Sequence, residues 1–119
     1  MRQWHADPKR MCMKHLLGEH VEHHMFAGTL SKGKSVAGYI RGNLLEPLSL
    51  KSRHDAIAEE MEARGYSHHS PMPLVSLQKL SPEERQAKVD RAAALGDLLN
   101  RCPDCKARFD SEKKKTANK

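Results

Sequence analysis

The sequence predicts an all-α fold, namely a small single domain of three main helices with short connecting helices and a basic tail. Three observations favour it. Apolar residues recur at helical spacing in long segments, and no segment alternates polar and apolar residues for long enough to form a strand. A chain of 119 residues is large enough for one modest core but not for two. We therefore expect one helical domain over residues 1–110 and a basic, disordered tail over residues 111–119.

The first predicted helix runs from Asp7 to Phe26. Asp7 is a favourable N-cap, Pro8 suits the first helical position, and Gly28 is placed to end the helix. Apolar residues at every fourth position are expected to form the stripe that faces the core. This predicted stripe consists of Met13, Leu17, Val21 and Met25.

A second face of the same helix concentrates ionisable side chains. His15, Glu19 and Glu22 have the spacing i, i+4, i+7, which places them side by side. His15, Glu19 and His23 can also stack as metal ligands, but the pattern is not the HExxH of hydrolytic zinc sites. We therefore expect chemistry on this helix without a catalytic metal.

The segment Gly28–Ser35 has the letters of a phosphate-binding loop, GxxxxGK[ST]. Such a loop follows a buried strand and opens a helix, whereas this segment follows a helix. The pattern therefore does not predict nucleotide hydrolysis. Lys32 and Lys34 are instead expected to contact nucleic-acid phosphates from a basic loop.

Two further long helices are predicted, after a short helix over residues 36–40. Pro47 opens a helix over roughly 48–64 that Gly65 closes, and Ser81 caps a helix that runs to about Asn100. Residues 66–80 are expected to form an extended connection. The predicted buried face of the second helix is Leu50, His54, Ile57 and Met61. The apolar side of the third is Val89, Ala92, Leu95, Leu98 and Leu99.

The charge of the chain favours a polyanionic partner. The formal net charge is +6 and the calculated pI is about 9.4. Residues 28–54 and residues 101–119 each carry a net charge of +4, and residues 55–98 between them are net acidic. Nucleic acid is the first candidate for such a partner.

The sequence also indicates where in the cell the protein is expected. No run approaches the roughly 20 apolar residues that a membrane span requires, so no membrane partner is expected. The N-terminus carries no apolar signal region. We therefore expect a cytoplasmic, nucleoid-associated monomer.

Three cysteines are an odd number, which fits reduced thiols better than a disulfide framework. Cys102 and Cys105 form a CxxC pair, which is half of a zinc site. The missing ligands can come from Cys12 with His15, or from the pair at positions 68 and 69. The simpler interpretation is a pair of reduced thiols with no cofactor, and structural zinc is the alternative.

The N-terminus offers a route to covalent catalysis. An α-amine has a pKa of about 7.7–8.0, against about 10.4 for lysine, so more of it is an unprotonated nucleophile at neutral pH. Such an amine can attack C1′ of a deoxyribose and form a Schiff base. A nearby glutamate can stabilise the positive charge and move protons. Met1 and Glu22 can meet if the leader (residues 1–6) folds back over the first helix.

Three segments resemble the pyrimidine-dimer DNA glycosylases, the phage-type endonuclease V family that excises ultraviolet photoproducts. They are the opening Met1-Arg2-Gln3-Trp4-His5, the segment Leu16-Leu17-Gly18-Glu19-His20-Val21-Glu22, and His54 followed by Glu60-Met61-Glu62-Ala63-Arg64-Gly65-Tyr66. The order and spacing of the three segments agree with the family pattern. The resemblance covers residues 1–66 and implies a DNA glycosylase that also acts as an abasic-site lyase.

The resemblance implies roles for the matching positions. The nucleophile is the α-amine of Met1, which the bulky Arg2 should protect from methionine removal. The catalytic glutamate matches Glu22, and the helix histidine matches His15. We expect double-stranded DNA as the partner, bound by Arg2, His20, His23, Lys32, Lys34, Arg53 and His54. A histidine satisfied within the core is an equally open interpretation of His54.

The sequence departs from the family at two positions. The phage enzyme has arginines just before and three residues after its catalytic glutamate, where this chain has Val21 and Met25. Lesion recognition is therefore expected either to differ or to be absent. Two alternatives remain open: a relative that removes a different modified base, and a non-catalytic nucleic-acid-binding module with structural zinc at the CxxC.

Overall fold

The computed structural model describes the backbone of residues 1–67, 71–73 and 75–117, and the side chains of these residues as far as residue 111. Within these residues the fold is all-helical, as predicted. The α-helices are α1 (Met13–Ser31), α2 (Ala37–Arg41), α3 (Leu50–Ala63), α4 (Pro82–Arg85), α5 (Arg91–Arg101) and α6 (Pro103–Ala117). Short 3-10 helices at Pro8–Arg10 and Pro47–Ser49 precede α1 and α3.

The predicted bounds of the first helix are wrong at both ends. Asp7 does act as a cap, but of the 3-10 helix, where its Oδ1 accepts a hydrogen bond from Lys9 N at 3.0 Å. The chain is then extended at Met11 and Cys12 before α1 begins. Gly28 lies inside α1, which continues to Ser31, so half of the phosphate-loop pattern is helical. The turn comes later, at Gly33, whose φ of +71° suits glycine.

Only the first half of the predicted apolar stripe of α1 faces the core, where Met13 and Leu17 are partly buried and pack against the apolar residues. Val21 and Met25 are 55% and 51% exposed. Steps of four residues advance by about 40° around a helix, so a stripe of four drifts by roughly a third of a turn onto another face. The face that is buried consists of Leu16, Glu19, His20, His23, Phe26, Ala27 and Leu30.

A buried ion pair allows α1 to bury a carboxylate against α3. Arg53 donates to Glu19 through Nε (2.7 Å to Oε2) and through Nη2 (2.9 Å to Oε1), and both side chains are almost fully buried. The same guanidinium donates to the carbonyl of Ala6 at 2.6 Å. Arg53 therefore joins the leader, α1 and α3 in one hydrogen-bonded group, in which the buried charge is paired.

The second predicted helix is confirmed as α3. Its predicted face is buried, with His54 among the buried residues, and Gly65 follows its end with a φ of +90°. The third predicted helix is broken. The predicted cap is confirmed as a capping box between Ser81 and Glu84, but α4 ends at Arg85.

A second capping residue explains the break. Asp90 accepts a hydrogen bond from Ala93 N at 3.0 Å and starts α5. Just before it, the backbone N–H of the buried Val89 donates to the carboxylate of Glu46 at 3.2 Å, which holds the chain outside a helix. On α5, Ala94 is buried whereas Ala92, predicted to face the core, is exposed.

The C-terminal part of the chain is more helical than expected. The sequence predicted a helix end near Asn100 and a disordered tail from residue 111. In the structure α6 follows α5 directly and runs to Ala117, so the predicted domain boundary at 110/111 falls inside a helix. Where the structure describes residues 66–80, it shows no helix or strand. Residues 68–70, including the proposed zinc ligands at 68 and 69, lie outside the described residues.

Two apolar clusters complete the core. The first joins the leader, α1, α3, α5 and α6 around Leu16, Ile57 and Leu98. The second lies at the other end of α1, around Phe26 and Leu45. Among the described residues, no helix is long and apolar enough to cross a membrane.

The ion pair between Glu19 and Arg53 predicts a large change in stability. Glu19→Gln leaves a buried guanidinium without its counter-charge, and we expect the free energy of unfolding to fall by about 3–5 kcal/mol. Urea denaturation measures it. The matched control is Asp110→Asn, which breaks an exposed pair with Lys106 and should cost less than about 1 kcal/mol. Equal losses in the two variants would contradict the role of the buried pair.

Candidate functional site

The leader does fold back over α1, and Gln3 anchors it. Gln3 is fully buried, and its backbone N–H donates to the carbonyl of Leu44 at 2.8 Å. Its side-chain amide bonds to His23 Nε2 at 3.0 Å and to Ser49 Oγ at 3.3 Å, and its carbonyl oxygen accepts from Glu46 N. A buried residue whose backbone N–H and side-chain amide are both hydrogen-bonded fixes the path of the chain on either side.

A cavity of about 550 Å³ lies between the leader, α1 and α5. Its walls combine the N-terminus with the ionisable face predicted for the first helix, so His15, Glu19 and Glu22 are brought together as expected. The lining residues are Met1, Arg2, Trp4, Lys14, His15, Gly18, Glu19, Glu22, Leu44, Asp97 and Arg101.

Glu22 is held against the leader at the edge of this cavity. Its Oε2 accepts a hydrogen bond from the backbone N–H of Arg2 at 3.2 Å. Because residue 2 follows residue 1 by a single peptide unit, this bond brings the Glu22 carboxylate next to Met1. The N-terminal residue and Glu22 therefore line the same cavity.

Arg2 is fixed by contacts within the protein. Its guanidinium lies 4.0 Å from the ring centroid of Trp4, in cation–π geometry, and 3.4 Å from Asp97 Oδ2. The ring of Trp4 in turn meets His15 edge-on, with 5.8 Å between centroids. The side chain of Arg2 is 13% exposed, so its first role is to close the cavity wall.

Two histidines, His5 in the leader and His23 on α1, are held neutral. Burial lowers the pKa of His23, whose Nδ1–H donates to the Glu19 carbonyl at 2.7 Å while its Nε2 accepts from Gln3. Burial, together with the positive charge of Arg53, lowers the pKa of His5 to about 4. Nε2 of His5 lies 2.9 Å from Ser49 Oγ. Both rings are therefore structural at neutral pH.

Burial corrects several of the predicted DNA contacts. His23 and His54 are 0% and 1% exposed, and Arg53 is buried in its pair with Glu19. Side chains without exposed surface cannot reach DNA phosphates, so a direct contact is wrong for these three residues. His20 is also buried, at 9% exposure. Lys32 and Lys34 are exposed beyond the end of α1, outside the cavity.

Three of the histidines form a cluster between α1 and α3. Nitrogen atoms of His20, His24 and His54 all lie within 4.8 Å of one another. His24 Nε2 and His54 Nε2 are 3.1 Å apart, and Asp55 accepts from His54 Nδ1 at 3.0 Å. His54, the polar residue on the buried face of α3, thus belongs to a histidine cluster inside the protein.

A second cluster combines Cys12 and His15 with the CxxC pair of Cys102 and Cys105. Their ligand atoms lie within 4.8 Å of one another, and the three cysteines are free and buried. His15 therefore borders both the cavity and the cysteines, with its Nδ1 3.2 Å from Cys12 Sγ.

Sequence reasoning missed the contribution of α5 to the cavity. Asp97 and Arg101 line it together with Lys14 of α1. No local motif marks these residues, because only the packing of α5 beside the leader brings them to Glu22. The anchoring role of Gln3 was also missed, although a glutamine between Arg2 and Trp4 in a short leader was a visible signal.

The cavity has the composition of a site for amine chemistry on an anionic substrate. It offers one half-buried carboxylate beside the N-terminus, and cations from Lys14 and Arg101. Carboxylates next to amines serve in proton transfer and in the stabilisation of iminium ions.

Comparison with known protein families gives a match over the N-terminal part of the chain. A family model described as pyrimidine dimer DNA glycosylase matches residues 1–74. The matched region covers more than half of the chain and includes the leader, α1, α2 and α3. No curated protein and no solved structure matches the chain significantly.

The lowered pKa of His5 predicts a pH dependence of stability. Its pKa falls from 6.5 in the unfolded chain to about 4 in the folded protein, so between these values the unfolded chain binds more protons. The free energy of unfolding should therefore decline as the pH falls from 6.5 towards 4.

Urea titrations at pH 4.5, 5.5 and 8 of the wild type and of His5→Asn test this pH dependence. Asparagine tolerates the positive φ of 53° at this position. The difference in free energy of unfolding at pH 8 reports the lost contact with Ser49. Below pH 6.5 the free energy of unfolding of the variant should decline less steeply than that of the wild type. If the free energy of unfolding falls equally with pH in the wild type and in His5→Asn, His23 would account for the whole pH dependence, and the role given to His5 would be contradicted.

Proposed function

The chain belongs to the pyrimidine dimer DNA glycosylase family, and on that premise we propose that it is also an abasic-site lyase whose nucleophile is the α-amine of Met1. Glu22 is the proposed catalytic carboxylate. The substrate of the family is DNA, and we infer a duplex carrying a damaged or modified pyrimidine as the form that this chain binds. The observation that carries the proposal is the hydrogen bond from Arg2 N to Glu22, which brings the carboxylate to the N-terminus.

The proposed reaction proceeds in balanced steps. The amine of Met1 attacks C1′, a C–N bond forms, and the glycosidic bond breaks as the base leaves with a proton. The sugar ring opens as the C1′–O4′ bond breaks and O4′ takes a proton from Glu22, whose negative charge then stabilises the resulting iminium ion. Glu22 then moves a proton from C2′, and the C3′–O bond breaks as the 3′ phosphate leaves. Hydrolysis of the Schiff base frees the amine.

The location of the cavity suits a nucleotide displaced from the duplex. The target sugar must leave the base stack before an amine can reach C1′. Lys14 and Arg101 line the cavity and can bind the flanking phosphates. The end of α1 at Ser31 lies about 14 Å from Glu22 along the helix axis, at 1.5 Å per residue. Lys32 and Lys34 follow that end and extend the positive surface.

The proposed nucleophile is tested by trapping. Borohydride added to the protein with a duplex that carries one abasic site should reduce the Schiff base to a stable covalent adduct, visible on a denaturing gel. Peptide mapping should place the sugar on Met1. Acetylation or extension of the N-terminus should abolish the adduct, because no free α-amine remains at that position.

Lys14 supplies the matched control, since it is the lysine that lines the cavity. Lys14→Ala should still form the adduct, although phosphate binding weakens. An adduct that persists on the acetylated protein and disappears in Lys14→Ala would contradict the assignment of Met1. Absence of any adduct between pH 6 and 8 would favour a non-catalytic nucleic-acid-binding module.

Glu22→Gln separates catalysis from binding. The amide retains an oxygen that accepts from Arg2 N, so the leader should stay in place. We expect Kd for abasic-site DNA within about twofold of the wild type and turnover reduced by about 10²- to 10⁴-fold, the usual range for lost acid–base catalysis. Single-turnover strand cleavage and fluorescence anisotropy measure the two quantities. Unchanged turnover would remove Glu22 from the mechanism.

The exposed face of α1 around Glu22 predicts how DNA affinity can be raised. Met25 is 51% exposed, so Met25→Arg adds a cation without disturbing the core. If DNA lies along this face, Kd should fall and the slope of log K against log salt should steepen by about one.

Ala92→Arg adds the same charge on the side of α5 away from the cavity and is the control for Met25→Arg. The control should change the salt slope much less. Identical salt slopes in the two variants would show that DNA does not meet this face of α1.

A further inference from the structure

Four metal-binding side chains from the two ends of the chain converge at one point beneath the cavity. We propose that Cys12, His15, Cys102 and Cys105 bind one structural Zn²⁺ ion. Their ligand atoms all lie within 4.8 Å of one another, although the two pairs are about 90 residues apart in sequence. Each pair has the x₂ spacing of zinc ligands, Cys12-x₂-His15 and Cys102-x₂-Cys105.

The distances fit tetrahedral coordination. Zinc–sulfur and zinc–nitrogen bonds of about 2.3 and 2.0–2.1 Å place tetrahedral ligands roughly 3.8 Å (S···S) and 3.6 Å (S···N) apart. Cys12 Sγ lies 3.6 Å from Cys102 Sγ and 3.2 Å from His15 Nδ1. These separations are close to the edges of such a tetrahedron, so small side-chain adjustments suffice to admit the ion.

Backbone N–H groups donate hydrogen bonds to two of the sulfur atoms at this point. Cys12 is the N-cap of α1, and Cys102 directly precedes α6 at Pro103. Two helix N-termini therefore direct their positive ends towards the thiolates. Cys12 N donates to Cys105 Sγ at 3.2 Å, and Cys105 N donates to Cys102 Sγ at 3.3 Å. Such hydrogen bonds orient the ligands of a metal site.

The donor set indicates a closed structural site. Three thiolates and one imidazole fill the four positions of zinc and leave none for water or substrate. The three cysteines are no more than 8% exposed, which also keeps solvent from the ion. An iron–sulfur cluster distributes its ligands over at least two iron atoms, so some of its ligand atoms must lie further apart than the 4.8 Å that separates these four at most.

The proposed ion joins a part of the chain that the family model matches to a part beyond the match. Cys12 and His15 lie within the segment that matches the family model, whereas Cys102 and Cys105 lie beyond it. Zinc therefore fastens the start of α6 to the start of α1. It also fixes the ring of His15, against which Trp4 packs, and Arg2 stacks on Trp4 in turn. His15 acts in this proposal as a positioning residue and not as a catalyst.

The histidine cluster of His20, His24 and His54 is the competing location for a metal. It offers three nitrogens and no thiolate, so spectroscopy distinguishes it from the cysteine cluster. Cobalt(II) bound by thiolates shows sulfur-to-metal charge-transfer absorption, which cobalt bound by imidazoles alone lacks. Cys102→Ser tests the cysteine cluster, and His24→Gln tests the histidine cluster.

The experiment measures metal in the full-length protein purified under reducing conditions without added chelator. We expect one zinc per chain, retained by His24→Gln and lost or reduced at least tenfold in Cys102→Ser. Asp104→Asn, an exposed change inside the CxxC, should retain the metal. The zinc-free protein titrated with Co²⁺ should develop thiolate charge-transfer absorption at one equivalent, which Zn²⁺ then displaces.

Three results would overturn the proposal. The first is less than a tenth of an equivalent of zinc together with no charge-transfer absorption on cobalt titration. The second is zinc lost in His24→Gln but retained in Cys102→Ser. The third is cobalt bound without thiolate absorption. The cobalt spectrum of the wild type keeps the test decisive if Cys102→Ser fails to fold. Borohydride trapping is a separate measurement, so failure of the zinc site and failure of the proposed lyase are distinguishable.

Discussion

The buried pair of Glu19 and Arg53 is the interaction on which the rest of the structure depends. A carboxylate and a guanidinium, each removed from water, are tolerated because they form two short hydrogen bonds and Arg53 also satisfies the carbonyl of Ala6. The pair sets the separation of α1 and α3 and holds the end of the leader. The path of the leader in turn brings the N-terminus to Glu22.

The helices were predictable from sequence to the extent that local signals decide them. The capping box at Ser81 and the glycine after α3 were correct because capping is a local interaction. The buried face of α1 was not predictable from hydrophobicity, because Glu19, His20 and His23 are buried through partners that are distant in sequence. The break before α5 depends likewise on Glu46, more than 40 residues away.

The candidate site was predictable where a motif carries it and not where packing assembles it. Met1, His15 and Glu22 were identified from their spacing and resemblance, and they line one cavity. Asp97 and Arg101 carry no motif. His23, His54 and Arg53, which the sequence suggested as DNA contacts, are buried. Charge in a sequence indicates affinity for a polyanion, but only burial shows which cations are exposed to it.

The contact between Arg2 and Glu22 has a consequence for how the site tolerates mutation. Its donor is a backbone amide, which every amino acid except proline possesses. Side-chain changes at residue 2 can therefore alter the cation–π contact and the Asp97 pair while this hydrogen bond survives. In a saturation scan, position 2 should accept many bulky residues, which keep Met1 in place, yet reject proline, whereas position 22 should be intolerant. Such an asymmetry marks a site whose geometry is encoded in the main chain.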